Sequence, residues 1–370
     1  MTNRAIAHAR LRNSRLVGPP LEATAEATAE AVAWFGAVQS QDLPGALWAL
    51  AQRLPSGATL DSLGTELDDA RFIRTHGPRP TWHFLAPADC RWILALVGPR
   101  VERQSATINR REGLDPETLE RGLDILRGAL AGRPPRTRPE LGAALTAGGI
   151  DAAAGLPLGQ IVMHAELRAV ICSGPRRGKQ ITYQLVDDRV APALPCPRDD
   201  ALRELAVRYF QSHGPALAHD MAWWSGLTVG DVRRGIELAA DALEGRRVDG
   251  KEYWAAAGAF DPRPADVPEP FVRLLSNYDE YLGSYVDYSP VFDPALPKAR
   301  NVADVLGAHI VVRDGFVVGG WRRALGRDRA TVTVTPLVPL TTAEMAALEG
   351  EVEAYGRFVG LPVDLVMPPA

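Results

Sequence analysis

The sequence predicts a mainly α protein with short β hairpins, an α+β chain built from a recurring unit of three helices and two strands. Three observations predict it. Ala- and Leu-rich runs with apolar residues at helical spacing alternate with short β-branched and aromatic stretches. Gly, Pro and Asp punctuate the strand pairs where tight turns are needed. The same succession is readable three times before the texture changes near residue 271, and 370 residues exceed the usual size of one core.

The first unit is assigned to residues 1–112. Residues 22–37 are Ala-rich with helical periodicity, Leu43–Leu54 reads as a helix after Pro44, and 59–70 as a third helix starting near Thr59 or Asp61. RFIRTHGPRPTWHFLAP (71–87) reads as strand, turn, strand. Three short helices and a hairpin are the layout of a winged helix. The second unit, 113–198, repeats it. Asp115 caps a helix over 115–131 with Pro116 at its first position, 139–149 closes at Gly148-Gly149, and 159–174 runs from helix into strand. PRRGK (175–179) is a basic turn before a strand at 180–189. The third unit, 199–260, has a helix at 199–212, two more within 213–239 with Thr228 as a cap, and a strand pair at 246–256.

Residues 261–370 form a C-terminal α/β region, expected to build on the third unit through a Pro-rich linker at 261–270. Its hairpin, 309–323, turns at Asp314-Gly315. A further strand follows, then a closing helix at 341–359 capped by Thr341 or Thr342.

Composition narrows the function. Hydrophobic residues at 46% and charged residues at 23% fit a soluble globular chain, and no apolar stretch is long enough to span a bilayer. The N-terminus lacks the apolar core of a signal peptide, so a cytoplasmic location is expected. Three scattered cysteines and no CxxC or HExxH argue against structural zinc and a disulfide framework. No GxGxxG or GKS/T loop points to a nucleotide. A net charge of −4 gives no global pull toward nucleic acid, yet arginines gather at turns. Arg322 and Arg323, then Arg176, Arg177 and Lys179, are the candidates for phosphate contact.

The chemistry-bearing candidate is Gln39-Ser40-Gln41, at the joint between two helices. Residues two apart in extended backbone point to the same side, so paired amides can hold a water or simply cap helix ends. A glutamine is no strong base near neutral pH. Two amides therefore suit a reaction whose leaving group is already activated, and Asp42 ranks below them because it points away. His83, in a strand beside Arg79, is either structural or at a DNA-facing end. His213 and His219 read as a turn-fixing pair and Trp223-Trp224 as core. Tyr278-Asp279-Glu280-Tyr281 reads as a loop near the cleft whose acids accept backbone N–H groups or meet Arg322 and Arg323.

Gln39-x-Gln41, Arg79-Pro-Thr-Trp-His83, RYFQSHGPALAHDMAWWSGLT (208–228) and YDEYLGSY (278–285) together resemble the AlkZ/YcaQ family, across roughly residues 5–365. These are bacterial winged-helix proteins that include monofunctional DNA glycosylases. The resemblance implies tandem winged-helix units around a concave DNA-binding channel, with a C-terminal α/β cap. It implies catalysis by Gln39 and Gln41 on double-stranded DNA with alkylated bases, and no cofactor or metal. A monomer that touches no membrane is expected. The family's motif has an aliphatic middle residue, from which Ser40 departs. The alternative is a non-catalytic winged-helix DNA-binding protein or transcriptional regulator.

Overall fold

A computed structural model describes residues 2–18, 21–260, 267–292 and 309–367. Helix α1 (Asn3–Asn13) opens it, capped by Thr2. The first unit then runs α2 (Ala27–Phe35), β1 (Val38–Gln39), α3 (Leu43–Ala51), α4 (Leu60–Asp68), β2 (Ile73–His76) and β3 (Trp82–Leu85). Thr59 caps α4 by accepting from Ser62 N, and Leu63 and Leu67 make its buried face. The sheet order is β1-β3-β2, with Gln39 opposite His83 and Thr75 opposite His83 on the other side.

Helix α5 (Pro87–Arg111), 25 residues long, leads into the second unit. That unit comprises α6 (Pro116–Leu130), β4 (Arg136–Thr137), α7 (Arg138–Ala147), α8 (Gly155–Leu167), β5 (Ile171–Arg177) and β6 (Gln180–Leu185). Asp115 caps α6 as expected, accepting from Thr118 N at 2.7 Å. The third unit has α9 (Arg198–Ser212), α10 (Ala218–Ser225), α11 (Val229–Leu238), β7 (Leu243–Val248) and β8 (Lys251–Ala256), with Thr228 capping α11. In each unit a short extended piece after the first helix pairs with the last strand. The pairs are β1 with β3, β4 with β6, and Ala216 with Trp254 of β8.

The C-terminal region holds β9 (Val272–Leu275), α12 (Glu280–Gly283), β10 (His309–Arg313), β11 (Phe316–Leu325), β12 (Ala330–Pro336), α13 (Thr342–Val359) and β13 (Val363–Val366). The five strands order as β13-β12-β11-β10-β9, antiparallel except for β12 and β13. Asp314 and Gly315 turn β10 into β11 with φ of 49° and 89°, the left-handed pair a two-residue hairpin needs.

The sheet and α13 of this region pack on the first unit, while its 280–287 segment meets the third as expected, Ser284 O accepting from Tyr209 and Asp287 from Lys251. Val32, Phe35, Trp48, Leu63 and Phe84 share one core with Leu274, Val318, Trp321, Tyr355 and Phe358. Trp48 Nε1 donates to Leu274 O at 2.7 Å, fastening α3 to β9. Ala7 and Leu11 of α1 pack with Phe271, Tyr281 and Ile310, while α5 buries Cys90, Ile93 and Val97 against Leu205 and Phe210 of α9. The second unit keeps its own core around Leu126, Leu145 and Ile161. Most of the expected linker, 261–266, lies outside the described residues; within its remainder Val267 is buried in the core shared with α1. Among the described residues no helix is long and apolar enough to cross a membrane.

Candidate active site

The joint that carries the two glutamines is a strand end rather than a helix cap. Gln39 closes β1 and is 7% exposed; Ser40 is fully buried, its N donating to Trp82 O at 2.7 Å. The Ser40 carbonyl accepts from Arg74 Nη2 at 3.0 Å, so a small middle residue is tied down by backbone bonds on both sides. Gln39 Nε2 donates to Thr81 Oγ1 at 3.3 Å, and its backbone N donates to Glu280 Oε1 at 2.8 Å. Gln41 is exposed in the bend before α3.

Gln39 lines a cleft of about 180 Å³ together with Arg79, Trp223, Asn277, Tyr278 and Tyr288. Ser276, Leu282, Gly283 and Ile310 complete its wall, and neither a carboxylate nor an imidazole is among these residues. Gln41 is not part of this lining, so the structure does not bring the two amides to one wall of the cleft. Asp42 is held elsewhere, both its oxygens accepting from Arg323 Nη2 at 2.6 and 2.7 Å.

Arg79 stands at the tip of the β2–β3 hairpin between two prolines, with φ of 65°. Its guanidinium lies 5.0 Å from the Trp223 ring centroid, and Nε is buried without a hydrogen-bond partner. Burial pulls its pKa down from the usual range, against the pull of Glu280 and of Tyr288 and Tyr209. Gly226, the left-handed C-cap of α10, lets this tip approach: a Cβ there would sit 3.3 Å from Arg79 N. Tyr278, which lines the same cleft, also has a left-handed backbone (φ of 66°) and is exposed. Backbone of this kind costs energy in a non-glycine residue and concentrates at working sites.

His83 is fully buried beside Gln39. Burial first, and the Arg79 charge second, lower its pKa to about 3. It is a neutral wall of the sheet, which fits the structural alternative and not the DNA-facing one. Trp223, read as core, is instead 47% exposed at the cleft, whereas its neighbour Trp224 is buried. His213 is buried and bonds Glu280, while His219 is exposed, so the two form no pair.

The Tyr278–Tyr281 loop sends each side chain a different way. Asp279 takes both oxygens to Arg53 at 2.7 and 2.9 Å, not to Arg322 or Arg323. Glu280 accepts from Gln39 N, as the backbone-acceptor expectation requires. Tyr281 is fully buried, its hydroxyl donating to Gly315 O at 2.7 Å, away from the cleft.

The expected phosphate contacts divide. Arg176 is committed to Asp68 through Nη2 at 2.8 Å and Nε at 3.0 Å, and Arg177 to Glu140 at 2.8 Å. Arg323 is committed to Asp42. Arg322 and Lys179 are exposed and have no ion pair among the described residues. The sequence reading missed Glu280's hold on Gln39 and the cleft residues Asn277, Trp223 and Tyr288; their nearness to Gln39 depends on contacts between units. Among the described residues no group of three His, Cys, Asp or Glu is placed to hold a metal.

The comparisons with known proteins bear on the chain as a whole. The family model described as "DNA glycosylase AlkZ-like" matches residues 32–358. The chain belongs to the AlkZ-like DNA glycosylase family. A curated relative, the interstrand DNA cross-link repair glycosylase of Streptomyces sahachiroi, is 26% identical over 320 residues, covering 83% of this chain and 85% of the relative. The solved structure of Streptomyces sahachiroi DNA glycosylase AlkZ is similar in fold, with a TM-score of 0.81 at 23% identity, over 99% of this chain and 100% of that one.

Proposed function

We propose that this AlkZ-like chain is a monofunctional DNA glycosylase. It hydrolyses the N-glycosidic bond of purines carrying an alkyl group on N7 or N3 in double-stranded DNA. The observation that carries the reading is the lining of the Gln39 cleft, where no residue can act as a general base. A purine alkylated at a ring nitrogen is cationic. When its bond to C1′ breaks, the bonding pair leaves with the base and neutralises that charge, so no acid is needed.

The sugar then resembles an oxocarbenium ion. Gln39 presents a carbonyl that can orient water toward C1′ and a dipole that stabilises the developing positive charge. Water adds its oxygen to C1′ and gives its proton to solvent. Gln41, in the exposed bend two residues on, is assigned to the sugar–phosphate side of the same task. Arg79 supplies a phosphate contact, Trp223 and Tyr278 flank the lesion, and Arg322 and Lys179 extend the phosphate path. Arg176, Arg177 and Arg323 keep the phosphate role only where DNA displaces their carboxylate partners.

The recurrence of helix, short strand, two helices and hairpin supports tandem winged-helix units at 1–112, 113–198 and 199–260, followed by the 261–370 region, around a DNA channel. The name of the curated relative supports bulky adducts or cross-links as further substrates. We take the protein to act as a monomer in the cytoplasm.

The test is incubation with duplex DNA containing N7-methylguanine, comparing wild type with the Gln39→Ala, Gln41→Ala double variant. Base release should fall by roughly 10²-fold or more, the scale of losing a preorganised polar group. Release that persists in the double variant removes the catalytic assignment. Tight binding to unmodified duplex with no release from any alkylated DNA supports the regulator instead.

A further inference from the structure

We propose that Glu280 is a positioning residue for Gln39: its buried carboxylate fixes the backbone of β1 and thereby the amide that holds the attacking water. The proposal rests on the glycosylase reading above. β1 is two residues long and lies at the edge of its sheet, bonded to β3 on one side only. The outward N–H of Gln39 is buried, and a buried edge N–H needs a partner. Glu280 Oε1 supplies it at 2.8 Å, a charge-assisted bond stronger than a neutral acceptor gives.

The carboxylate is itself immobilised. Oε2 accepts from His213 Nε2 at 3.1 Å, from Trp224 Nε1 at 2.9 Å and from the Ser284 hydroxyl. Glu280 is 2% exposed, so water does not compete for these bonds. One side chain thus ties the first unit to the third and to the C-terminal region. Asp279 does the same for the far end of the segment, holding Arg53 just beyond α3 with both side chains almost fully buried. Two consecutive carboxylates therefore pin the two ends of the β1–α3 segment, and Tyr278 immediately before them forms the cleft wall. A buried carboxylate is a poor way to gain stability, but a fixed one sets geometry.

A role through Gln39 differs from a general structural role in a double-mutant cycle. Single-turnover release from the N7-methylguanine duplex is measured for wild type, Glu280→Gln, Gln39→Ala and the pair. Glu280→Gln should slow release roughly 10- to 100-fold, as small displacements of a reacting group do, with little change in duplex affinity. The pair should be no slower than Gln39→Ala alone. Hydrogen exchange at the Gln39 amide should accelerate in Glu280→Gln.

Additive losses, or unchanged exchange at Gln39, overturn the proposal while leaving the glycosylase reading intact. Absence of release by the wild type sinks that reading and the proposal's chemistry together. Should Glu280→Gln fail to fold, Ser284→Ala loosens Oε2 and leaves the carboxylate in place. It should cost severalfold in rate in the wild-type background and nothing further in Gln39→Ala; an equal loss in both backgrounds overturns the proposal.

Discussion

The β2–β3 hairpin of the first unit and the β5–β6 hairpin of the second occupy the same place in the same succession of elements, yet their arginines have opposite fates. Arg79 meets no carboxylate at ion-pair distance among the described residues and lies against Trp223 in the cleft. Arg176 and Arg177 are each neutralised within the fold, by Asp68 of α4 and Glu140 of α7. The second hairpin carries more positive charge in the sequence, but the first presents its charge where a ligand can use it. What separates them is the supply of acid nearby: α4 places Asp68 under Arg176, whereas the neighbours of Arg79 in the cleft are neutral.

Arg79→Ala should show the larger effect. Duplex affinity should fall about tenfold and the salt dependence of binding should lose about one phosphate's worth of slope. Equal salt slopes for variant and wild type would break the contrast between the two hairpins. Arg176→Ala should leave the salt slope unchanged and lower stability by about 1 kcal/mol, the upper range for a partly exposed bidentate pair, measured by denaturant unfolding. A fall in DNA affinity as large as that of Arg79→Ala would show that the Asp68 pair opens on binding.

A pH-dependent effect concerns His83, the buried neighbour of Gln39. Its pKa is lowered to about 3, so the folded state resists the proton that the unfolded chain accepts near 6.5. Its contribution is complete above that value and drains away as pH falls toward 3. His83→Gln should therefore flatten the acid side of the stability curve between these limits. An unchanged curve would mean that His83 is protonated in the fold.

Much of the scaffold is legible in the sequence because capping and periodicity are local. Thr59, Asp115, Thr228 and Thr341 each cap the helix they were read to start, and Asp314-Gly315 turns as expected. Helix α5 is missed although Cys90, Ile93, Leu94 and Val97 repeat at helical spacing, because Pro99 and a run of charged residues obscure its second half. The two-residue strands β1 and β4 are too short for any period, and they exist because a hairpin strand recruits them. At the site, Gln39 and Arg79 are readable as residue types. That Asp279 serves Arg53, that Glu280 serves Gln39, and that the C-terminal sheet packs on the first unit depend on partners more than 200 residues away. Ion pairing of Arg176 with Asp68 is equally invisible, since the sequence shows a charge but not the acid folded beneath it.

Among the described residues the cleft around Gln39 is lined by neither carboxylate nor imidazole, so the proposed reaction should need a leaving group that carries its own positive charge. The most direct measurement is base release under single-turnover conditions from two duplexes that differ only in one nucleotide, N7-methylguanine or uncharged deoxyuridine. Release of the cationic purine with none of the neutral base is the expected result. Excision of uracil at a comparable rate would require a catalytic acid or base that the cleft does not provide, and would contradict it.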